Sequence, residues 1–129
     1  MNGRFLLDAN IVIGIFTEDR AIQQRLAQRP EVLLSTIVLG ELYFGAQKST
    51  RLGENLRRID DLLTEAVPLP CDVGTAYEYG VVRNELRLKG RPIPENDIWL
   101  AAHAKQHGLT LVSRDRHFAE VENLRWEQW

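Results

Sequence analysis

Two acidic residues of the chain come just after apolar runs of strand length. Asp8 directly follows residues 5–7, and Asp115 stands shortly after residues 109–112. The carboxyl ends of parallel strands lie at the same edge of a sheet, and ligands of α/β proteins bind beyond that edge. We therefore expect both carboxylates there, where two further acids, Glu41 and Asp97, can join them from helices.

Glu41 is the acid that an ordinary structural role explains least. It lies in an apolar stretch, and its neighbours three and four positions away along a helix cannot pair with a carboxylate. A lone carboxylate in apolar surroundings is costly. Taken singly, Asp8 suits a helix cap, Asp97 suits the positive end of a helix dipole, and Asp115 suits a turn. A cleft shared by the four acids accounts for all of them at once.

Four carboxylates in one cleft repel one another unless a cation neutralises them. Oxygen ligands without thiolates or a clear histidine set favour Mg²⁺ or Mn²⁺, which also bind phosphate groups. Such an ion can activate a water molecule for in-line attack on phosphorus and stabilise the leaving oxygen. The acidic residues therefore predict phosphodiester hydrolysis without a protein nucleophile.

Alternating strand and helix patterns predict the scaffold that positions these acids. Apolar runs of strand length cover residues 5–7, 32–34, 67–69, 109–112 and, more weakly, 124–126. Helical patterns cover residues 10–16, 19–28, 36–48, 51–66, 72–89 and 96–107. Asn96 is the predicted N-cap of the last helix. Strands separated by helices predict an α/β fold with a mostly parallel sheet covered on both faces.

Length and composition set the class of protein. The 129 residues suit one compact domain, and the content of 44% hydrophobic and 26% charged residues excludes a disordered or fibrous chain. The apolar stretches are too short for a membrane span or a signal-peptide core, so we expect a cytoplasmic protein that does not bind membranes. The formal net charge of −2 excludes a uniformly basic surface for nucleic acid, although carboxylates at a metal site contribute to it.

Cysteine, histidine and arginine residues supply further expectations. Cys71 is the only cysteine, so no intramolecular disulfide can form, and we expect a buried, unreactive thiol. His103 and His107 share a helix face but lack the adjacent glutamate of a zinc-protease helix, so we interpret them as favourable charges near a helix C-terminus. Arg114 and Arg116 flank Asp115 and are candidates for contacts with the phosphates of a nucleic-acid substrate.

Three segments carry the acids in a combined pattern: LLDANIVI, STIVLGELYFGA and ENDIWLAAHAKQHGLTLVSRDRHF. In this order and spacing they resemble the PIN-domain ribonucleases, most closely the VapC-type toxins of type II toxin-antitoxin pairs. The resemblance covers nearly the whole chain. Ala9 stands where the family more often has threonine, which removes one possible hydroxyl contact but no ligand.

The resemblance implies a fold and an activity. The chain would be a single PIN domain over residues 1–129, with a three-layer α/β fold whose central, mostly parallel sheet of four to five strands is flanked by helices. It would be an Mg²⁺- or Mn²⁺-dependent endoribonuclease that hydrolyses RNA through a metal-activated water. The catalytic and metal-binding residues would be Asp8, Glu41, Asp97 and Asp115, supported by Asn10 and by Ser35 or Thr36 as hydrogen-bond partners.

The resemblance also implies protein partners. A homodimer is expected, with a cognate VapB-type antitoxin that inserts a segment into the active-site groove, and a higher toxin-antitoxin assembly is a further option. The helix pattern over residues 51–66 would contribute to that groove. Two alternatives stay open, namely a metallonuclease for DNA or structured junctions and a catalytically inactive PIN-like module that binds RNA or protein.

Overall fold

The computed structural model describes residues 3–129, in which strands and helices alternate. The strands are β1 (Arg4–Leu7), β2 (Glu31–Ser35), β3 (Val67–Leu69), β4 (Thr110–Val112) and β5 (Trp126–Glu127). The helices are α1 (Ala9–Phe16), α2 (Arg20–Leu26), α3 (Thr36–Gln47), α4 (Leu52–Leu63), α5 (Val73–Lys89) and α6 (Glu95–His107), and a 3₁₀ turn covers Arg116–Glu120. Every predicted strand and helix is present, and the largest difference is the end of α4, which stops at Leu63 instead of residue 66.

Single residues determine where the two longest helices begin and end. Both α5 and α6 terminate at a glycine in the left-handed conformation, Gly90 with φ 66° and Gly108 with φ 64°. The prediction of Asn96 as the N-cap of α6 is wrong, because Pro94 occupies that position and Asn96 lies inside the first turn. Among the described residues, no helix is long and apolar enough to cross a membrane.

The five strands form one sheet in the order β3-β2-β1-β4-β5, and every neighbouring pair is parallel. This confirms the predicted α/β fold with a parallel central sheet. The chain moves outward from β1 through β2 to β3 and then returns past β1 to β4 and β5. Because crossovers between parallel strands are right-handed, these two directions place helices on both faces of the sheet.

The central strands carry completely buried side chains. Leu6 and Leu7 of β1 and Leu111 and Val112 of β4 are all 0% exposed. Strands that are apolar on both faces are typical of a parallel sheet covered by helices. Their burial holds the register in which Leu6 lies beside Leu111. That register determines which residues emerge at the carboxyl edge.

The order in which strands are added to the sheet reverses after β3, and this creates a crevice between β1 and β4 at the carboxyl edge. The backbone N–H of Asp8 donates to the carbonyl of Val112 at 2.9 Å, so the first residue after β1 is tied to the last residue of β4. In open α/β sheets, such a topological switch point is where ligands bind. The fold therefore places Asp8 beside the residues that follow β4.

We predict that Leu111→Ala strongly destabilises the fold and that Leu88→Ala does not. Leu111 is fully buried in β4, so its truncation should lower the free energy of unfolding by about 2–5 kcal/mol. Leu88 is 69% exposed on α5, and the same truncation there should change it by less than about 0.5 kcal/mol. Urea unfolding followed by circular dichroism measures both values. Equal effects at the two positions would contradict the burial described above.

Candidate active site

Asp8 combines a helix-capping role with a buried charge. Its Oδ1 accepts a hydrogen bond from the backbone N–H of Ala9 at 2.8 Å, which caps α1. Its Oδ2 accepts from the hydroxyl of Ser113 at 2.7 Å. The residue is 6% exposed. This burial raises the pKa of the Asp8 carboxyl, whereas the hydrogen bond from Ser113 lowers it, so desolvation acts against the ionised form.

Ser113 links the ends of the two central strands, and the sequence prediction missed it. Besides donating to Asp8, its buried hydroxyl accepts from the backbone N–H of Asp115 at 3.0 Å. The amide nitrogen of Asn10 lies 3.3 Å from Asp8 Oδ2 and 3.2 Å from Ser113 Oγ, and its Oδ1 accepts from the backbone N–H of Arg114 at 3.1 Å. A polar residue directly after a buried strand and two before an acid was the available signal.

Asp115 begins the 3₁₀ turn that follows β4. Its Oδ1 accepts from the backbone N–H of His117 at 2.9 Å, and the buried Phe118 anchors the turn in the core. The Nδ1 of His117 consequently lies 2.9 Å from Asp115 Oδ1 and 3.2 Å from Asp97 Oδ2. Desolvation lowers the pKa of His117, but the two carboxylates raise it overall. The imidazole therefore occupies a place where positive charge is favoured.

Asp97 lies in the first turn of α6, where the helix dipole favours a carboxylate. Its pKa is nevertheless raised from the usual 3.8 to about 6. Burial is the largest cause, the charges of Asp115 and Asp8 add to it, and the hydrogen bond with His117 lowers it. Burial and, after it, the neighbouring acids therefore both oppose ionisation of Asp97.

Glu41 extends from α3 towards α6. The amide of Asn96 donates to its Oε1 at 3.0 Å, so Glu41 has a hydrogen-bond partner outside the helical neighbours that the sequence analysis considered. That partner is neutral and comes from a position 55 residues away, which helical spacing could not indicate. Burial raises the pKa of the half-buried Glu41, the hydrogen bond from Asn96 lowers it, and the charge of Asp8 raises it. Glu41 therefore belongs to the same electrostatic cluster as Asp8.

The structure brings the four predicted acids to one crevice. Asp8 interacts electrostatically with Glu41, Asp97 and Asp115, and Asp115 also acts on Asp97. Among residues 3–129, one group of three potential ligand atoms lies within 4.8 Å, from Asp97, Asp115 and His117. A divalent cation would relieve the repulsion that opposes ionisation of these carboxylates. The donor set, mostly carboxylate oxygens, therefore fits such a cation.

The hydrogen bonds of Ser35 and Thr36 lead away from the four acids. Buried Ser35 accepts from the N–H of Ile37 at 3.0 Å and lies 2.9 Å from His103 Nδ1. The Thr36 hydroxyl contacts the sulfur of Cys71 at 3.8 Å, and Cys71 is half-buried rather than buried. His103 is fully buried, so its interpretation as a helix-terminal charge is wrong, and burial lowers its pKa. These contacts connect the start of α3 with α6.

Arg114 and Arg116 flank Asp115 in different environments. The Arg114 guanidinium pairs with Asp19 at 2.9 Å and donates to the carbonyl of Trp129 at 2.7 Å. These bonds join the loop after β4 to Trp129, two residues beyond β5, and to the N-cap of α2. Arg116 is exposed at the first position of the 3₁₀ turn.

An apolar groove of about 440 Å³ begins beside Glu41 and lies between α1, α3 and α4. Its lining includes Ile13, which is 53% exposed, and Phe44, which is 65% exposed. Lys48 and Arg58 add positive charge to the same groove. Exposed apolar side chains with a polar rim are typical of an interaction surface.

Comparisons with known proteins agree with this arrangement. The PIN domain family matches residues 5–124. The chain is 38% identical over 129 residues to the ribonuclease VapC2 of Haemophilus influenzae and 33% identical to the tRNA(fMet)-specific endonuclease VapC of Shigella flexneri, with 98% of both chains covered in each case. It is also similar, with a TM-score of 0.90 and 30% identity over 98% of both chains, to a chain in the crystal structure of VapBC2 from Rickettsia felis bound to a DNA fragment from their promoter.

We predict that Asp97→Asn stabilises the metal-free protein at pH 8 but not at pH 4. The folded pKa of about 6 lies above the usual 3.8, so stability is full below pH 4 and falls as the pH rises through about 6. Asparagine carries no charge and avoids that loss, which amounts to at most about 3 kcal/mol at pH 8.

Urea unfolding in the presence of EDTA at the two pH values tests this expectation. Asp60→Asn is the matched control, because Asp60 is exposed on α4. A gain from Asp97→Asn that is equal at pH 4 and pH 8 would show that ionisation of this carboxyl does not oppose folding.

Proposed function

This chain belongs to the PIN-domain family, among the VapC ribonucleases, and we propose that it is an endoribonuclease toxin that uses Mg²⁺ or Mn²⁺ and is neutralised by a cognate VapB-type antitoxin. The observation that carries the proposal is the convergence of Asp8, Glu41, Asp97 and Asp115 at the switch point between β1 and β4. Full-length relatives are named for RNA cleavage, which favours RNA as the substrate. We further propose a single PIN domain over residues 1–129 that acts in the cytoplasm.

The positions of the acids suit two tasks, metal binding and proton transfer. Asp97 and Asp115 would hold the cation, together with Asp8, which is buried and interacts electrostatically with both. When bound, the cation supplies the positive charge that activates water and stabilises the phosphodiester group during attack. Glu41 uses Oε1 to accept from Asn96, which leaves Oε2 to receive a proton from the attacking water.

The supporting residues keep these acids in place. Asn10 and Ser113 orient Asp8 through hydrogen bonds to its Oδ2. Ser35, and Thr36 beside it, would act at longer range by fixing the start of α3, the helix that carries Glu41. This differs from direct hydrogen bonds to the acids, the support that the resemblance implies for these two residues.

RNA must be held beside the crevice by groups outside the acid cluster. Arg116 is the better candidate for a phosphate contact, because it is exposed next to Asp115. Arg114 is already bonded to Asp19 and to the carbonyl of Trp129, so its main role would be to order the loop after β4.

A homodimer is part of the proposal and needs an apolar surface. Val73, Tyr77 and Leu88 are 87%, 71% and 69% exposed on α5. Their spacings of four and eleven residues place them on one side of that helix. This face of α5 supports self-association, and it lies on a different helix from those that form the groove beside Glu41.

We predict that Asp8→Asn and Asp97→Asn each lower Mn²⁺-dependent RNA cleavage by about 100-fold or more. Each substitution removes a negative charge that would hold the cation, and the cation stabilises the reacting phosphate. The purified protein is incubated with total RNA and with a defined transfer RNA, and products are mapped at their ends. Asp60→Asn, which changes an exposed acid on α4, should cleave like the unmodified protein.

Two results would replace the proposal with one of its alternatives. DNA cleaved as readily as RNA in the same metal-dependent way would indicate a general metallonuclease. No cleavage of any RNA by the unmodified protein with either metal would favour an inactive PIN-like module that binds RNA or protein. Unchanged cleavage in both acid variants would show that Asp8 and Asp97 are not catalytic, and the proposed site would fail.

The groove beside Glu41 is the surface proposed for the antitoxin. It adjoins the acid cluster, so a segment lying in it would also block RNA from the crevice. Its apolar lining suits the apolar face of a helix, and Lys48 and Arg58 suit acidic residues beside that face. The Rickettsia felis neighbour is a VapBC complex, which supports a partner of this kind.

We predict that Phe44→Ala weakens binding of the cognate antitoxin by about tenfold or more, because Phe44 is an exposed aromatic side chain in the groove. RNA cleavage by the free variant should stay unchanged, since the phenyl ring of Phe44 can neither bind a metal ion nor transfer a proton. Val67→Ala on β3, also half-exposed, is the control. Isothermal titration calorimetry measures the affinity of each variant for the antitoxin. Equal affinity for both variants would show that the antitoxin does not bind in this groove.

A further inference from the structure

His117 is the only nitrogen donor in the compact ligand group of this site among the described residues. Its Nδ1 lies 2.9 Å from Asp115 Oδ1 and 3.2 Å from Asp97 Oδ2. The ring thus approaches one oxygen of each of two carboxylates from different parts of the fold, the 3₁₀ turn and α6. A simple ion pair requires only one such oxygen.

These separations match the spacing of ligands around a small divalent cation. In an octahedral site with an ion-to-ligand distance of about 2.1 Å, neighbouring ligand atoms lie about 3 Å apart. The distances from His117 Nδ1 to Asp115 Oδ1 and to Asp97 Oδ2 both fall near this value. His117 Nδ1 can therefore occupy a position around one ion that is adjacent to the position of either carboxylate oxygen, and all three atoms lie within 4.8 Å of one another.

The backbone holds His117 in this position. Asp115 Oδ1 accepts from the backbone N–H of His117, which fixes the first residues of the turn. The next residue, Phe118, is 1% exposed and anchors the turn in the hydrophobic core. The side chain of His117 itself is 51% exposed, so packing of the core does not require an imidazole at this position.

We propose that His117 is a metal ligand through Nδ1 and that it makes the centre prefer Mn²⁺ over Mg²⁺. This inference rests on the proposed metal-dependent function. Carboxylate oxygens suit both ions, whereas an imidazole nitrogen contributes more to binding of a transition-metal ion than to binding of Mg²⁺, a hard ion. His117 thereby adds selectivity to a set of acids that would otherwise discriminate weakly.

Pulsed electron paramagnetic resonance on the full chain loaded with Mn²⁺ tests the ligand directly. We expect hyperfine coupling to a histidine nitrogen in the unmodified protein and its loss in His117→Ala. His107→Ala is the matched control, because His107 lies in the last turn of α6, at the far end from Asp97, and should keep the coupling.

Calorimetric titration of the same proteins tests the selectivity. His117→Ala should bind Mn²⁺ at least about tenfold more weakly, with a loss of less than about threefold for Mg²⁺. His107→Ala should bind both ions as the unmodified protein does. Circular dichroism verifies that the variants are folded, as the exposure of His117 leads us to expect.

Several outcomes overturn the inference. Mn²⁺ bound without nitrogen coupling would leave the metal-dependent function standing but exclude His117 as a ligand. Equal Mn²⁺ binding by His117→Ala would also exclude His117 as a ligand. Tighter Mn²⁺ binding by this variant would exclude it too and show that the ring competes with the cation for the carboxylates. If the unmodified protein binds neither ion, the proposed metal-dependent function fails together with this inference.

Discussion

Repulsion among carboxylates at one edge of the sheet is the constraint on which the rest of this structure depends. Burial and the charges of Asp115 and Asp8 raise the pKa of Asp97 to about 6. The pKa values of Asp8 and Glu41 are raised as well, mainly by burial. Ionised acids so close together would separate if they were carried on flexible segments. Asp8 and Asp115 stay close together because β1 and β4 are held side by side by completely buried side chains, and Asp97 and Glu41 are held on the helices α6 and α3. A divalent cation removes the repulsion that this rigid scaffold otherwise sustains.

The scaffold holds these acids by giving them ordinary structural work as well. Asp8 caps α1 with one oxygen, and Asp115 caps the 3₁₀ turn in the same way. Each hydrogen bond to a backbone N–H orients a carboxylate and offsets part of the cost of burying it. The structural explanation of these residues is therefore compatible with the proposed functional one. Ser113 joins the two caps, because its hydroxyl donates to Asp8 and accepts from the N–H of Asp115.

Helix α3 connects the chemistry with the proposed partner surface. Glu41 on this helix meets Asn96 at the acid cluster, and Phe44, one turn further along, is exposed in the apolar groove. A partner seated in the groove would thus lie against the same helix that carries Glu41, one of the proposed catalytic acids. Inhibition by such a partner needs no conformational change elsewhere, since blocking access to the crevice is sufficient.

The sequence alone determined the order of strands and helices, the parallel sheet and which four acids to expect near its carboxyl edge. These follow from local periodicity, from the residues that stand just after apolar runs and from acids that lie in otherwise apolar helices. Only the tertiary structure decided the contacts of those acids. Ser113 donates a hydrogen bond to Asp8, 105 positions away, and Asn96 donates one to Glu41, 55 positions away. The N-cap of α6, predicted at Asn96, is Pro94. Ser35 pairs with His103 instead of supporting an acid. Such pairings depend on strand register and helix packing, which bring together residues whose separation in the chain carries no periodic signal.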